Sequence, residues 1–147
     1  MITDTSIIIL IFYVALKITL ARIVILGKTC GFLLPAFHRM LTYLKDRRRG
    51  PPGILVLAPT RELACQIEEE CVKFGRSSNI RSVCAYGGAP KSLQVRKIQG
   101  GIEVLIATPG RLNDLLEMRV VDLTQVVFLG KLIVIHSSIP CIQHHIA

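Results

Sequence analysis

Residues 55–75 have the sequence LVLAPTRELACQIEEECVKFG, whose hydrophobic pattern changes at the polar turn Pro59-Thr60-Arg61-Glu62. Before the turn, residues 54–58 form an apolar run that is typical of a strand covered on both faces. After the turn, apolar residues recur at helical spacing. Ligands of α/β proteins commonly bind where such strands end and helices begin. The stretch therefore predicts an α/β fold with a candidate binding site at the polar turn.

The same alternation continues along the chain. Strand patterns at residues 54–58, 80–86, 103–107 and 126–129 alternate with helical patterns at residues 28–44, 61–74, 90–99 and 111–118. Such strand–helix–strand units form parallel sheets with helices packed against them. We therefore predict a doubly wound parallel sheet with helices on both faces. Pro35 should kink the first helix or lie in its first turn.

The predicted helix at residues 61–74 has one apolar side. That side comprises Leu63, Ile67, Cys71 and Phe74. The acidic residues of the helix, which we expect to point largely away from the core, are Glu68, Glu69 and Glu70.

The composition describes a basic chain with enough apolar residues for a core. Of its 147 residues 51% are hydrophobic, and the formal net charge is +8. This excess favours a polyanionic partner, either a nucleic acid or an anionic membrane, although basic residues can also simply solvate a surface. The five cysteines, with no CxxC pair, indicate reduced thiols and an intracellular protein of the nucleus or cytoplasm. They are Cys30, Cys65, Cys71, Cys84 and Cys141.

The N-terminal segment has a different character. Residues 7–16 are IIILIFYVAL, and Lys17 and Arg22 interrupt the apolar sequence that follows. These charges leave the segment short of the roughly 20 apolar residues of a membrane span. We expect buried strands or sequence foreign to the domain, with a membrane anchor or a signal peptide as alternatives.

Three predicted strand ends carry small or polar residues. They are Pro59-Thr60-Arg61-Glu62, Gly87-Gly88 and Thr108-Pro109-Gly110-Arg111. In a parallel sheet all three lie at the carboxyl edge, where helix N-termini, hydroxyl groups, guanidinium groups and exposed glycine backbone suit phosphate groups. Taken singly, each turn is also explained by helix capping or a tight turn. Together they predict binding of a phosphodiester backbone without base readout.

These strings also carry a resemblance. APTRELA at 58–64, GG at 87–88 and ATPGRL at 107–112 resemble, in this order, the RNA-backbone motifs of the DEAD-box RNA helicases. GKTCGFLLPAF at 27–37 resembles the end of the phosphate-binding loop and the following helix of that family. The resemblance covers residues 27–129 and implies an incomplete first RecA-like lobe of the P-loop NTPase type, which binds ATP, Mg²⁺ and RNA. It leaves residues 1–26 and 130–147 as apolar segments that do not match.

The resemblance implies a role for individual residues. The implied RNA-binding residues are Pro59, Thr60, Arg61, Gly87, Gly88, Thr108, Gly110 and Arg111. The implied nucleotide-binding residues are Gly27, Lys28 and Thr29, with the Thr29 hydroxyl as a Mg²⁺ ligand.

The chain also departs from the family pattern. Only Gly27-Lys28-Thr29 remains of the phosphate-binding loop, and Ile25 stands where the family has glycine. Where the family has its acidic motif, the chain has Gly130-Lys131-Leu132-Ile133-Val134-Ile135-His136, and no Asp or Glu occurs after Asp122. Phosphoryl transfer requires metal ligands and a positioned water.

We therefore expect a truncated form that binds single-stranded RNA with little or no ATPase activity and has no catalytic residue. Duplex RNA is a further expected partner. One alternative is an ATP-dependent helicase subunit that needs another chain, such as a second RecA-like lobe in trans. The other is a basic module tethered to a membrane, although we do not expect a membrane partner because Lys17 and Arg22 interrupt the apolar N-terminal segment.

Overall fold

The computed structural model describes residues 29–43 and 50–131. Residues 29–43 form helix α1. The elements that follow are β1 (Ile54–Leu57), α2 (Arg61–Gly75), a 3₁₀ turn (Arg76–Ser78), β2 (Ser82–Ala85), α3 (Lys91–Gln99), β3 (Val104–Ala107), α4 (Pro109–Glu117) and β4 (Phe128–Lys131). The predicted segment 1–26, the residues Gly27 and Lys28, and residues 132–147 of the predicted segment 130–147 lie outside the described residues.

The four strands form one parallel sheet in the order β2-β3-β1-β4. Ala107 of β3 is level with Leu57 of β1 on one side and with Ala85 of β2 on the other. The carboxyl ends of these three strands therefore lie side by side at one edge. The prediction of an α/β parallel sheet is confirmed.

Helices cover both faces of the sheet. Residues of α1 and α2, such as Leu33 and Ile67, pack with Val56 on one face. Residues of α3 and α4, such as Ile98 and Leu112, pack with Leu105 on the other. Because every residue of β1 is buried against one layer or the other, the continuous apolar run in this strand has its physical explanation.

Helix α1 continues through Pro35, which is not in its first turn. Proline lacks the N–H that would bond back along the helix. The buried side chains Leu33, Ala36 and Phe37 anchor the helix on both sides of this position, and most helix stability comes from such packing.

The strand β4 begins two residues later than the predicted strand at 126–129. The N–H groups of Val127 and Phe128 both donate to the carbonyl oxygen of Gly53, at 2.9 and 3.3 Å. These bonds fix where pairing with β1 starts, so Phe128 lies level with Ile54. The apolar pattern alone does not contain this register.

The expectation that the acidic residues of α2 point away from the core was wrong for two of them. Glu70 is 7% exposed, and its Oε1 accepts a 2.7 Å bond from Lys73 Nζ. Glu68 Oε1 accepts a 3.0 Å hydrogen bond from the backbone N–H of Cys84. Among the described strands β2 lies at the edge of the sheet, so its outward N–H takes its acceptor from a side chain and not from one of these strands.

None of the helices within 29–43 and 50–131 is both long and apolar enough to span a bilayer. The apolar stretch at residues 7–26 lies outside that part of the chain.

Candidate nucleic-acid interface at the carboxyl edge

Two backbone hydrogen bonds continue the sheet into the predicted turns. The N–H of Ala58 donates to the carbonyl of Ala107 at 3.0 Å, and the N–H of Thr108 donates to the carbonyl of Ala85 at 2.9 Å. The three turns therefore stand next to one another, in the spatial order of β2, β3 and β1. The structure brings together all three predicted stretches.

The first turn, after β1, exposes Pro59, Thr60 and Arg61. Thr60 is the N-cap of α2, with its Oγ1 accepting a 3.3 Å hydrogen bond from the N–H of Leu63. The helix-capping explanation of this threonine is therefore right. A hydroxyl that accepts one bond still carries its own proton, so capping is compatible with a bond donated to a phosphate oxygen.

Arg61 connects the first turn to the second. Its guanidinium carbon lies 4.7 Å from the centroid of the Tyr86 ring, which is a cation–π contact. Tyr86 directly precedes Gly87, so this contact crosses over the end of β3. Sequence reasoning missed Tyr86, although an aromatic residue at the end of a strand before two glycines was a usable signal.

The second turn contains Gly87 and Gly88, both exposed. Gly88 has φ +80°, a conformation that glycine adopts at little cost. A Cβ built on either residue meets no atom within 4 Å. The turn therefore offers bare backbone with open space in front of it.

The third turn leads into α4. Thr108 is the N-cap, but its side chain makes no capping hydrogen bond, and Pro109 occupies the start of the helix. Gly110 is exposed, and a Cβ there also meets nothing within 4 Å. The first turn of α4 contains no acidic residue, so its partial positive charge is not offset by a carboxylate in that turn.

Arg111 differs from Arg61 because it is only 8% exposed. Its Nη1 donates to Gln94 Oε1 at 2.8 Å, and its Nη2 donates to the carbonyl of Ala89 at 3.2 Å. Its Nε lies 3.5 Å from Asp114 Oδ2, a charge contact too long for a good hydrogen bond. Asp114 also pairs with Lys91 at 3.2 Å. Direct contact between Arg111 and RNA stays a prediction, and the structure places this guanidinium among protein acceptors.

The nucleotide side of the prediction rests on Thr29 within the described residues. Thr29 is 1% exposed, and its Oγ1 has no hydrogen-bond partner in the part of the chain that the structure describes. An unpartnered buried hydroxyl fits one oxygen ligand of Mg²⁺.

The carboxylates that the family implies as further Mg²⁺ ligands are not found at the corresponding place in this chain. A Cβ added to Gly130 lies 3.6 Å from Phe32 Cε2, so the end of β4 passes beside the first described turns of α1. The residues there are Gly130 and Lys131, and no carboxylate follows them. Within 29–43 and 50–131, no three His, Cys, Asp or Glu residues form a group that could hold a metal ion.

Parallel order, helices on both faces and a polar carboxyl edge define an α/β lobe of the RecA-like class. The sequence profile of the DEAD/DEAH box helicases matches residues 24–135. The chain therefore belongs to the DEAD/DEAH box helicase family.

Individual proteins that are similar to this chain also belong to the helicases. DEAD-box ATP-dependent RNA helicase 40 of Oryza sativa subsp. japonica is 59% identical over 103 residues, which is 70% of this chain and 13% of that protein. DEAD-box ATP-dependent RNA helicase 14 of Arabidopsis thaliana is 56% identical over 103 residues, 70% of this chain and 16% of that protein. A crystal structure of the yeast DEAD-box splicing factor Prp28 superimposes with a TM-score of 0.59 at 32% identity. That match covers 71% of this chain and 25% of the yeast chain. The chain thus spans less than a fifth of these two plant relatives.

Proposed function

We propose that this chain binds the phosphate backbone of single-stranded RNA, without base readout, along the carboxyl edge of its sheet. The contacting residues are Pro59, Thr60, Arg61, Gly87, Gly88, Thr108 and Gly110. The observation that carries the proposal is the alignment of three turns with complementary chemistry at one edge. Membership of the helicase family and the printed names of the relatives as RNA helicases support RNA as the polyanion.

Each turn contributes a different kind of contact. Arg61 supplies a forked cationic donor, which the Tyr86 ring holds from one side. Thr60 and Thr108 supply hydroxyl donors, and the start of α4 supplies backbone N–H groups with a favourable dipole. The glycine turn lets a phosphate approach the backbone closely. Since neighbouring strands are about 4.8 Å apart, one strand of RNA laid across the edge meets all three turns.

We further propose that ATP hydrolysis is weak or absent in this chain. The hydroxyl of Thr29 is present, but the carboxylates that would complete a Mg²⁺ site are missing from the sequence after Asp122. Without them nothing here positions an attacking water. The proposed organisation is an incomplete first lobe at residues 27–129, flanked by segments that do not belong to it. A protein with reduced thiols that binds RNA belongs in the nucleus or cytoplasm.

A second candidate follows from the buried Oγ1 of Thr29. If Gly27-Lys28-Thr29 still holds the phosphates of ATP, a second RecA-like lobe in trans could supply the missing ligands. Binding of RNA would then tighten with Mg-ATP when both lobes are present.

The test is a titration of a fluorescently labelled single-stranded RNA with the full chain, followed by anisotropy. We expect affinity to fall steeply between about 50 and 200 mM salt, because binding of cations to phosphates releases counterions. Arg61→Ala should weaken binding about tenfold and reduce the slope of log affinity against log salt by about 0.7, the value for one phosphate contact on a single strand.

Arg76→Ala is the matched control. Arg76 is also exposed, but it lies in the 3₁₀ turn before β2, away from the carboxyl edge. The substitution Arg76→Ala removes the same charge as Arg61→Ala and should leave the affinity for RNA within about twofold of that of the wild type. If Arg61→Ala and Arg76→Ala weaken binding equally, overall charge explains the binding and the proposed site is wrong.

A further inference from the structure

Arg111 lies at the predicted RNA-binding edge but is not exposed toward it. The residue is 8% exposed, and Nη1 and Nη2 each donate a hydrogen bond within the protein. Since the residue is almost fully buried and both terminal nitrogens already bond Gln94 and Ala89, a phosphate has little access to this guanidinium. The exposed Arg61 faces no comparable obstacle.

The partners of Arg111 hold the glycine turn from both ends. Arg111 Nη2 bonds the carbonyl of Ala89, which directly follows Gly88, at 3.2 Å. Arg111 Nη1 bonds Gln94 Oε1, while Gln94 Nε2 donates to the carbonyl of Tyr86 at 3.1 Å. Tyr86 and Ala89 flank the two glycines, so one guanidinium fixes both boundaries of the turn.

This arrangement matters because the turn has little rigidity of its own. Glycine backbone has the greatest conformational freedom of any residue, and ordering it at the moment of binding would reduce affinity. Gln94 is 7% exposed and buried with Arg111. A planar fork with several donors can hold two acceptors at once, which a single ammonium group does less well.

We propose that Arg111 and Gln94 are positioning residues that hold Gly87-Gly88 in the conformation that accepts a phosphate, and that Arg111 does not contact RNA itself. The inference rests on the proposed RNA-binding function and deepens it. It replaces the implied direct role of Arg111 with an indirect one.

The first test compares how RNA affinity depends on salt in the full-length chain. Arg111→Gln and Gln94→Met should each weaken binding about tenfold, the effect of losing a hydrogen bond to a charged partner. The salt slope should stay at the wild-type value, because no phosphate contact by a cation is lost. Arg61→Gln should reduce the slope by about 0.7. A matching reduction with Arg111→Gln would show direct phosphate contact and overturn the proposal.

Gln99→Met is the matched control for Gln94→Met. It makes the same change on the same helix, at an exposed position at the end of α3. It should bind RNA like wild type. If Gln94→Met binds as tightly as Gln99→Met, the positioning role is wrong while the RNA site stands. If wild-type binding does not depend on Arg61, both the site and this inference are wrong.

A second test separates positioning from general damage to the fold. Gly88→Ala strains a residue at φ +80° and should disrupt the turn directly. In the Gly88→Ala background, Gln94→Met should weaken RNA binding by a further factor of less than about two, because both changes act through the glycine turn. An undiminished tenfold loss in the double variant would overturn the proposal. In Gln94→Met, amide hydrogen exchange should be faster at residues 86–89 while thermal unfolding stays cooperative. Unchanged exchange at these residues would also overturn the proposal.

Discussion

Thr60 and Thr108 occupy the same position, the N-cap, at the start of two helices. Only Thr60 makes a side-chain capping bond. We expect Thr60→Ala to lower the free energy of unfolding by about 1 kcal/mol, while Thr108→Ala changes it by less than about 0.3 kcal/mol. Urea unfolding of the two variants and of Thr60→Ser, which retains the cap, measures the difference. Equal losses for Thr60→Ala and Thr108→Ala would contradict the assignment.

Cys71 gives the protein a dependence on alkaline pH. Burial raises the pKa of its thiol from 9.0 to about 12, and the negative charges of Glu68 and Glu70 act in the same direction. Above pH 9.0 the unfolded chain loses this proton while the folded chain keeps it. The protonated thiol of Cys71 therefore contributes fully to the free energy of unfolding below pH 9.0, and this contribution is lost as pH rises toward about 12. The loss amounts to at most about 1.4 kcal/mol per pH unit.

Urea unfolding of wild type and Cys71→Ala at about pH 8 and about pH 10.5 tests this. The variant should be less stable at the lower pH but should lose less stability on going to the higher one. Ile67→Val changes a buried neighbour without a titrating group, so it should keep the wild-type pH dependence. An unchanged pH dependence in Cys71→Ala would show that the thiol does not titrate on unfolding as argued.

Strand β2 depends on a side chain of α2 for the N–H of Cys84 on its outer side. We expect Glu68→Ala to lower the free energy of unfolding by about 1–3 kcal/mol, because it leaves that donor without its acceptor. Glu68→Gln retains an acceptor oxygen and should recover most of the loss. Hydrogen exchange at Cys84 should speed up in the alanine variant only. Equal protection in both variants would mean that the carboxylate does not hold this edge.

The helices and strands could mostly be predicted from the sequence, whereas the contacts between them could be predicted less well. Periodicity predicted each described α-helix and β-strand because both faces of the sheet are covered, which makes the central strands β1 and β3 apolar throughout. It did not predict the start of β4, which depends on bonds to Gly53, or the inward position of Glu68, which depends on β2 being an edge strand. Both features are set by strand order, which periodicity does not encode.

The candidate site likewise has features that the sequence predicted and features that it did not. The exposed groups of the three turns were predictable, since each is local to a strand end. The burial of Arg111 was not, because it arises only when the strand order places the start of α3 beside the start of α4. Gln94 gave no signal in the sequence as part of a site, since one glutamine in a basic helix has no distinctive pattern.

The whole chain should respond weakly to nucleotide. A ligand that binds only the folded state stabilises it by RT ln(1 + [L]/Kd), and the melting temperature rises with this stabilisation. We expect Mg-ATP at about 1 mM to shift the midpoint by less than about 1 °C, because the carboxylates of a Mg²⁺ site are missing after Asp122. Differential scanning fluorimetry with Mg²⁺ alone as control measures it. A larger shift that Thr29→Val abolishes would favour the candidate that needs a second lobe.

The 3₁₀ turn Arg76–Ser78 lies before the amino end of β2, on the side of the sheet opposite the carboxyl edge. Its residues are exposed, and Asn79 reverses the chain there in a left-handed conformation with φ 54°. Exposed turns of polar residues tolerate insertions well. A biotin-acceptor peptide inserted between Ser77 and Ser78 would attach the protein to a sensor chip with the three turns of the proposed RNA site oriented toward the flowing sample.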